Sequence, residues 1–60
     1  MCQLKKLRTK KRITQIELSE STHIPKPYIV MWENNKTVPN KIYSEKLADY
    51  FHVSIDEFLK

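Results

Sequence analysis

The stretch from Thr14 to Lys36, TQIELSESTHIPKPYIVMWENNK, places the tightest limit on what this chain can fold into. Thr14 offers a side-chain oxygen to open a helix, Glu17 three residues later can return the bond, and Ile13 can reach forward to Leu18 as an apolar staple. Leu18, Ile24, Ile29 and Trp32 are then spaced so that two consecutive short helices bury one shared seam. Gln15, Lys26, Pro27, Tyr28 and Met31 are left on the outside. The first of these helices is expected from Gln15 to about Thr22. The second should begin within Pro25-Lys26-Pro27, because proline lacks only an N–H that has no partner in a first helical turn, and it should run through Tyr28 to about Asn34.

The flanks read as helices as well. Gln3 to Lys11 puts Leu4 and Leu7 on one face and lysines on the other. Asn40 is a good cap for a helix that continues to Phe51, with Ile42, Tyr43, Leu47, Tyr50 and Phe51 at helical spacing. Val53-Ser54-Ile55-Asp56-Glu57-Phe58 repeats the device at Ile13: Ser54 caps, Glu57 closes the box and Val53 staples onto Phe58. The sequence therefore predicts an all-α chain of five helices in a single domain over residues 1–60.

Sixty residues can build only a small core, worth a few kcal/mol, which leaves little room for an elaborate catalytic cavity. The single cysteine, Cys2, excludes an internal disulfide and a multi-cysteine zinc site and fits a reducing compartment. His23 and His52 have no ligand cluster around them and read as turn residues, so no metal and no cofactor are expected. Glycine-rich phosphate loops are missing and Cys2 has no histidine at an activating spacing, so the chain is not expected to be an enzyme or to take a small-molecule substrate. No apolar run approaches a membrane span and the start MCQLKKLRTKKR lacks a secretion signal, which leads to the expectation of a cytoplasmic protein with no membrane partner.

The net charge of +4 is unevenly spread. Lys5, Lys6, Arg8, Lys10, Lys11 and Arg12 precede residue 14 without an acid among them, whereas the middle of the chain is slightly acidic and the remainder is balanced. Such a basic end attracts polyanions in a salt-sensitive way, or is simply a solvated helix face.

Thr14-Gln15, Leu18, Ile24, Ile29, the run Trp32-Glu33-Asn34-Asn35-Lys36, and later Leu47-Ala48 and Val53-Ser54-Ile55-Asp56-Glu57 resemble the phage repressor and Cro type of helix-turn-helix domain, the XRE family. The similarity covers roughly Leu4 to Leu59. It implies a lambda-repressor-like fold, with the helix-turn-helix formed by helices 2 and 3, in a bacterial or phage-encoded regulator of transcription, most naturally a repressor. It also implies that Arg8 pairs with Glu33, that Gln15 holds a phosphate oxygen, and that Ser19 fills a small-residue position between helices 2 and 3. Arg12, His23, Asn35 and His52 stand where the family often has glycine, in a chain that has none. Asn35 is the easiest substitute for a left-handed residue and His23 a less comfortable one. Lys41 and Ser44 depart from the family pattern, which prefers apolar residues there, and suggest that helix 4 is rotated or shorter at its start.

On this reading Lys26, Pro27, Val30 and Met31, with Tyr28 alongside, face the major groove of double-stranded DNA. Lys26 is suited to guanine, Val30 and Met31 to thymine methyls, and the Tyr28 hydroxyl to a phosphate or a base. Asn34, Lys36 and Lys41 are placed to grip the backbone and Arg8 to present itself to a phosphate. Tyr50, Phe51, Phe58 and Leu59 are the expected contacts of a homodimer on a pseudo-palindromic operator. The competing reading is a protein-interaction module that uses the apolar Tyr28, Val30 and Met31 face of the same helix.

Overall fold

Three of the helix starts are fixed by the caps that the sequence announces. Thr14 Oγ1 accepts from the Glu17 N–H at 3.0 Å while Glu17 Oε1 accepts from the Thr14 N–H at 2.9 Å, a complete capping box. Asn40 Oδ1 accepts from the Tyr43 N–H at 2.9 Å and Ser54 Oγ from the Glu57 N–H at 3.1 Å. The computed structural model describes residues 2–60, and among them the elements are α1 (Leu4–Lys10), α2 (Gln15–Thr22), α3 (Lys26–Glu33), α4 (Lys41–Phe51) and α5 (Ile55–Phe58), with no strand. The all-α, five-helix expectation is met, with α1 one residue shorter at each end and α3 ending at Glu33. At α5 only half of the expected box forms among the described residues: Ser54 caps, and Glu57 gives no return bond.

The helix ends are fixed by backbone conformation. Arg12, His23, Asn35 and His52 all have φ near +60°, the left-handed region in which a side chain is crowded. Each follows or caps a helix. Three of the reversals are locked by a six-residue bond typical of this motif: Ile13 N–H to Arg8 O, Lys36 N–H to Met31 O at 3.0 Å, and Val53 N–H to Ala48 O at 2.9 Å. The positions where the family often has glycine are therefore the positions where this backbone needs it.

The core collects one stripe from each helix: Leu4 from α1, Leu18 from α2, Ile29 and Trp32 from α3, Leu47, Ala48 and Phe51 from α4, and Phe58 from α5, with Ile24 from the corner. Ile13 and Val53 pack at its edge, as the staples require, and Ile55 joins them. Along α4 the seam runs Ser44, Leu47, Ala48, Phe51, a helical i, i+3, i+4, i+7 pattern. Ile42, expected on that seam, is instead 73% exposed. Ser44 takes the inner position at no polar cost because its hydroxyl donates to Pro39 O at 3.1 Å. The helix is therefore full length from Lys41, and the departure from the family pattern is absorbed by one hydrogen bond.

Two of the residues expected at a dimer contact belong to this core. Phe58 has no exposure and Phe51 has 7%, so neither offers surface to a second copy. The reason is the brevity of α5: a single turn can bury its aromatic residue only against the rest of the chain. Phe58 O also accepts from the Gln3 N–H at 2.7 Å, joining α5 to the start of α1. Tyr50 is half-buried, edge-on to Phe51 at 5.1 Å and beneath the Lys11 ammonium at 5.3 Å, and Leu59 is 41% exposed.

Candidate nucleic-acid interface

The corner between α2 and α3 sets the position of everything exposed on α3. Thr22 is buried with its hydroxyl donating to Leu18 O at 2.7 Å, His23 turns the chain left-handed, and Ile24 enters the core. Ser19 Oγ donates to Ile24 O at 2.5 Å, so the small residue on α2 holds the corner with a bond as well as leaving it room. Pro25 then precedes α3 in extended conformation and Pro27 occupies its first turn, which stiffens the entry.

Glu33, at the far end of α3, ties three elements together. Its carboxylate accepts from Arg8 Nε at 2.6 Å and Arg8 Nη2 at 3.1 Å, the two-pronged geometry that makes arginine and carboxylate a strong pair. Arg8 Nη1 donates to Ile13 O at 2.8 Å, and Gln15 Nε2 donates to Glu33 Oε1 at 3.1 Å. The Glu33 side chain is only 3% exposed and that of Arg8 14%, so the pair is shielded from solvent and salt more than a surface bridge would be. The Glu33 hydrogen bond raises the Arg8 guanidinium above the ordinary arginine value; burial works against this and the Glu33 charge adds to it. The Arg8 to Glu33 contact is thus present as the resemblance implied. The Gln15 link was not foreseen: it requires knowing that the first turn of α2 and the last turn of α3 meet, which no local pattern states.

This network leaves a defined set of donors. An arginine has five N–H groups and three are used; a glutamine amide has two and one is used. Gln15 is therefore half-buried and oriented, with one amide N–H remaining at the open start of α2.

On α3, successive residues are turned by about 100°. Taking Ile29 and Trp32 as the inward edge, Pro27 points almost directly outward, Val30 and Met31 lie about 50° to either side, and Lys26 and Tyr28 sit on the two flanks. Lys26, Pro27 and Tyr28 are exposed, while Val30 and Met31 are half-buried. The Tyr28 ring is not free: it stacks on Trp32 at 5.8 Å and 13° and meets Tyr43 at 5.8 Å, with Trp32 and Tyr43 at 5.4 Å. This three-ring cluster fastens α3 to α4 and leans Tyr28 toward α4. Beyond α3, Asn34, Lys36 and Lys41 are all exposed along the loop into α4. Arg8 and Gln15 are thus brought together with the end of α3, Lys26, Pro27, Val30 and Met31 share its outer half, and Tyr28 stands at the margin of that half.

The helix-turn-helix family profile matches residues 4–58, nearly the whole chain. The chain belongs to that family, a class of DNA-binding regulators of transcription. Among curated proteins it is 38% identical over 56 residues to the HTH-type transcriptional activator BcrR of Enterococcus faecalis. That alignment takes in 93% of this chain and 28% of the relative, so the chain spans little more than a quarter of the relative's length. No solved structure matches it significantly. No helix among the described residues is long and apolar enough to cross a membrane.

Proposed function

We propose that this chain binds double-stranded DNA in a sequence-dependent way, with α3 in the major groove, and regulates transcription from that site. The observation that carries the reading is the network of Arg8, Gln15 and Glu33. It joins the exposed start of α2 to the end of α3 with leftover donors at their junction, an arrangement suited to a phosphate beside the groove. Gln15 and Arg8 then grip one phosphate strand, Asn34, Lys36 and Lys41 the other side of the groove, and Lys26, Pro27, Val30 and Met31 meet base edges. Tyr28, committed to its ring cluster, serves at the rim through its hydroxyl.

Repression is the sense we favour, because occupying an operator suffices for it; activation is the sense carried by the name of the relative, and a promoter reporter with the operator placed over or upstream of the start site separates the two. A pseudo-palindromic operator read by a homodimer accords with the usual geometry of such helices, half-sites about one helical turn apart. Of the surface expected for that contact, Tyr50 and Leu59 remain available. Sedimentation of the protein with and without a selected duplex tests it: a two-to-one complex is expected, and Leu59→Lys should weaken it.

The decisive test of DNA binding is titration into mixed duplex at low and moderate salt. Salt-sensitive binding weakened by Gln15→Ala and by Lys26→Ala is expected, the latter also relaxing sequence preference. No binding even at low salt would remove the proposal and favour a protein partner on the same helix.

A further inference from the structure

The polar side chains around α3 are largely spoken for. Glu33 is consumed by Arg8 and Gln15, the Gln15 amide is held at the start of α2, and Tyr28 is stacked against Trp32 and Tyr43 on the flank. The side chains that still point outward from the two turns of α3 that would enter a groove are Pro27, Val30 and Met31, with Lys26 at one side. Asn34 shares their direction one turn, about 6 Å, beyond Val30, where it caps the end of the helix and leads into the backbone-facing loop. None of Pro27, Val30 and Met31 has a side-chain hydrogen-bond donor, and the only acceptor among them, the Met31 thioether, is weak. Where these three side chains meet the bases, they cannot tell them apart by their hydrogen-bonding edges; that is left to Lys26 and Asn34 at the margins. In the major groove, one further feature distinguishes base pairs: the methyl group at C5 of thymine.

We infer that this helix reads DNA chiefly by C5-methyl groups, with Val30 and Met31 as the specificity-determining contacts. The inference rests on the placement of α3 in the major groove proposed above. Its chemical consequence is specific. 5-Methylcytosine carries its methyl at the same ring position as thymine and differs at the neighbouring exocyclic group, where thymine has an acceptor and cytosine a donor. A face without hydrogen-bonding side chains is indifferent to that exchange. The site therefore accepts 5-methylcytosine in place of a contacted thymine, and binds uracil and unmodified cytosine, which lack the methyl, less tightly. Lys26 adds a preference for guanine at the edge of the same site.

The test begins with selection of a duplex from a random library, followed by resynthesis with single thymine–adenine pairs replaced in turn by deoxyuridine–adenine, cytosine–guanine or 5-methylcytosine–guanine pairs. Removing one buried methyl should weaken binding roughly fourfold at each contacted position, for uracil and cytosine alike. The 5-methylcytosine duplex should stay within about twofold of the parent, since the methyl contact is kept. In Val30→Ala and Met31→Ala, whose folding is checked by circular dichroism, the difference between thymine and uracil should vanish at one position each while salt-dependent binding persists. A selected duplex that binds equally well with uracil throughout would overturn the inference and leave DNA binding intact. A uracil penalty that survives in both variants would also overturn it, since the methyl would then act through duplex shape instead of contact. Failure to select any duplex would overturn this inference together with the function on which it rests.

Discussion

The corner that joins α2 to α3 and the corner that joins α4 to α5 turn on the same left-handed histidine, but the first is held by Ser19 bonding Ile24 O and the second by the Val53 N–H to Ala48 O bond, and they leave the molecule with very different surfaces. Each ends a helix on a histidine with φ near +60°, His23 in one and His52 in the other, and next to it stands an aliphatic residue turned toward the core, Ile24 or Val53. After the first corner comes an eight-residue helix with an exposed outer side and a polar anchor at its end. After the second comes a four-residue helix whose Phe58 is wholly buried and whose last carbonyl is tied to Gln3. The same left-handed turn thus precedes a presenting helix in one place and a closing plug in the other. Length decides the outcome: two turns can bury one side and offer another, whereas a single turn can do little more than seal.

The largest break in this comparison should come from the plug. Phe58→Ala removes a fully buried ring from a core built on nine residues and is expected to cost about 3–5 kcal/mol, a large part of what so small a domain possesses. Urea titration followed by Trp32 emission should show a protein unfolded or nearly so in water. A loss below about 1 kcal/mol would mean that α5 is an accessory and that the first corner stands without it.

Glu33→Gln strikes the presenting helix instead. It leaves Arg8 part-buried without its counter-charge and is expected to cost about 2–3 kcal/mol, somewhat less than a deeply buried pair because the Arg8 side chain keeps 14% exposure. The pH dependence sharpens the reading. The folded-state value of Arg8 is raised, so its share of stability is fully present below the ordinary arginine range and fades only as pH climbs through the still higher folded value. Between pH 6 and 9 no loss from Arg8 is expected. Measured by the same urea titrations, the penalty for Arg8→Met should be constant across that interval; a penalty that shrinks toward pH 9 would contradict the assignment.

Much of the backbone was legible in the sequence because it is determined locally. Thr14, Asn40 and Ser54 act as caps within three residues of themselves, and the positive φ angles fall on four residues whose places the resemblance supplied. The surfaces were less legible. Ile42 lies outside and Ser44 inside because the hydroxyl of Ser44 finds Pro39 O, a partner five residues back that hydropathy cannot express. Tyr28 reads as a groove residue from helical spacing, yet its ring goes to Trp32 and Tyr43 once α4 is in place. Phe51 and Phe58 read as contacts of a homodimer, and they are buried in the core of the single chain. For the candidate site, the pairing of Arg8 with Glu33 came from the family pattern, and Gln15 joined it through a meeting of two helix ends far apart in sequence.

The smallest effect tests whether the two left-handed histidines are equivalent in energy as they are in backbone angle. A residue with a Cβ held near φ +60° is crowded by roughly 1–2 kcal/mol relative to glycine, and glycine gives back part of that gain through the greater freedom of the unfolded chain. His23→Gly and His52→Gly should therefore each stabilise the fold by up to about 1 kcal/mol, and by nearly the same amount, since φ is 58° at one and 59° at the other. Both residues are exposed, so neither substitution opens a cavity. Asn35→Gly should gain less, because asparagine tolerates the left-handed region best. Thermal melts of the three variants decide the matter: equal gains at His23 and His52 would show that the left-handed turn costs the same at both corners. A gain confined to His52 would mean that the histidine at the α2 and α3 corner makes a stabilising contribution of its own, which would tie that turn to the presenting face more closely than its backbone alone does.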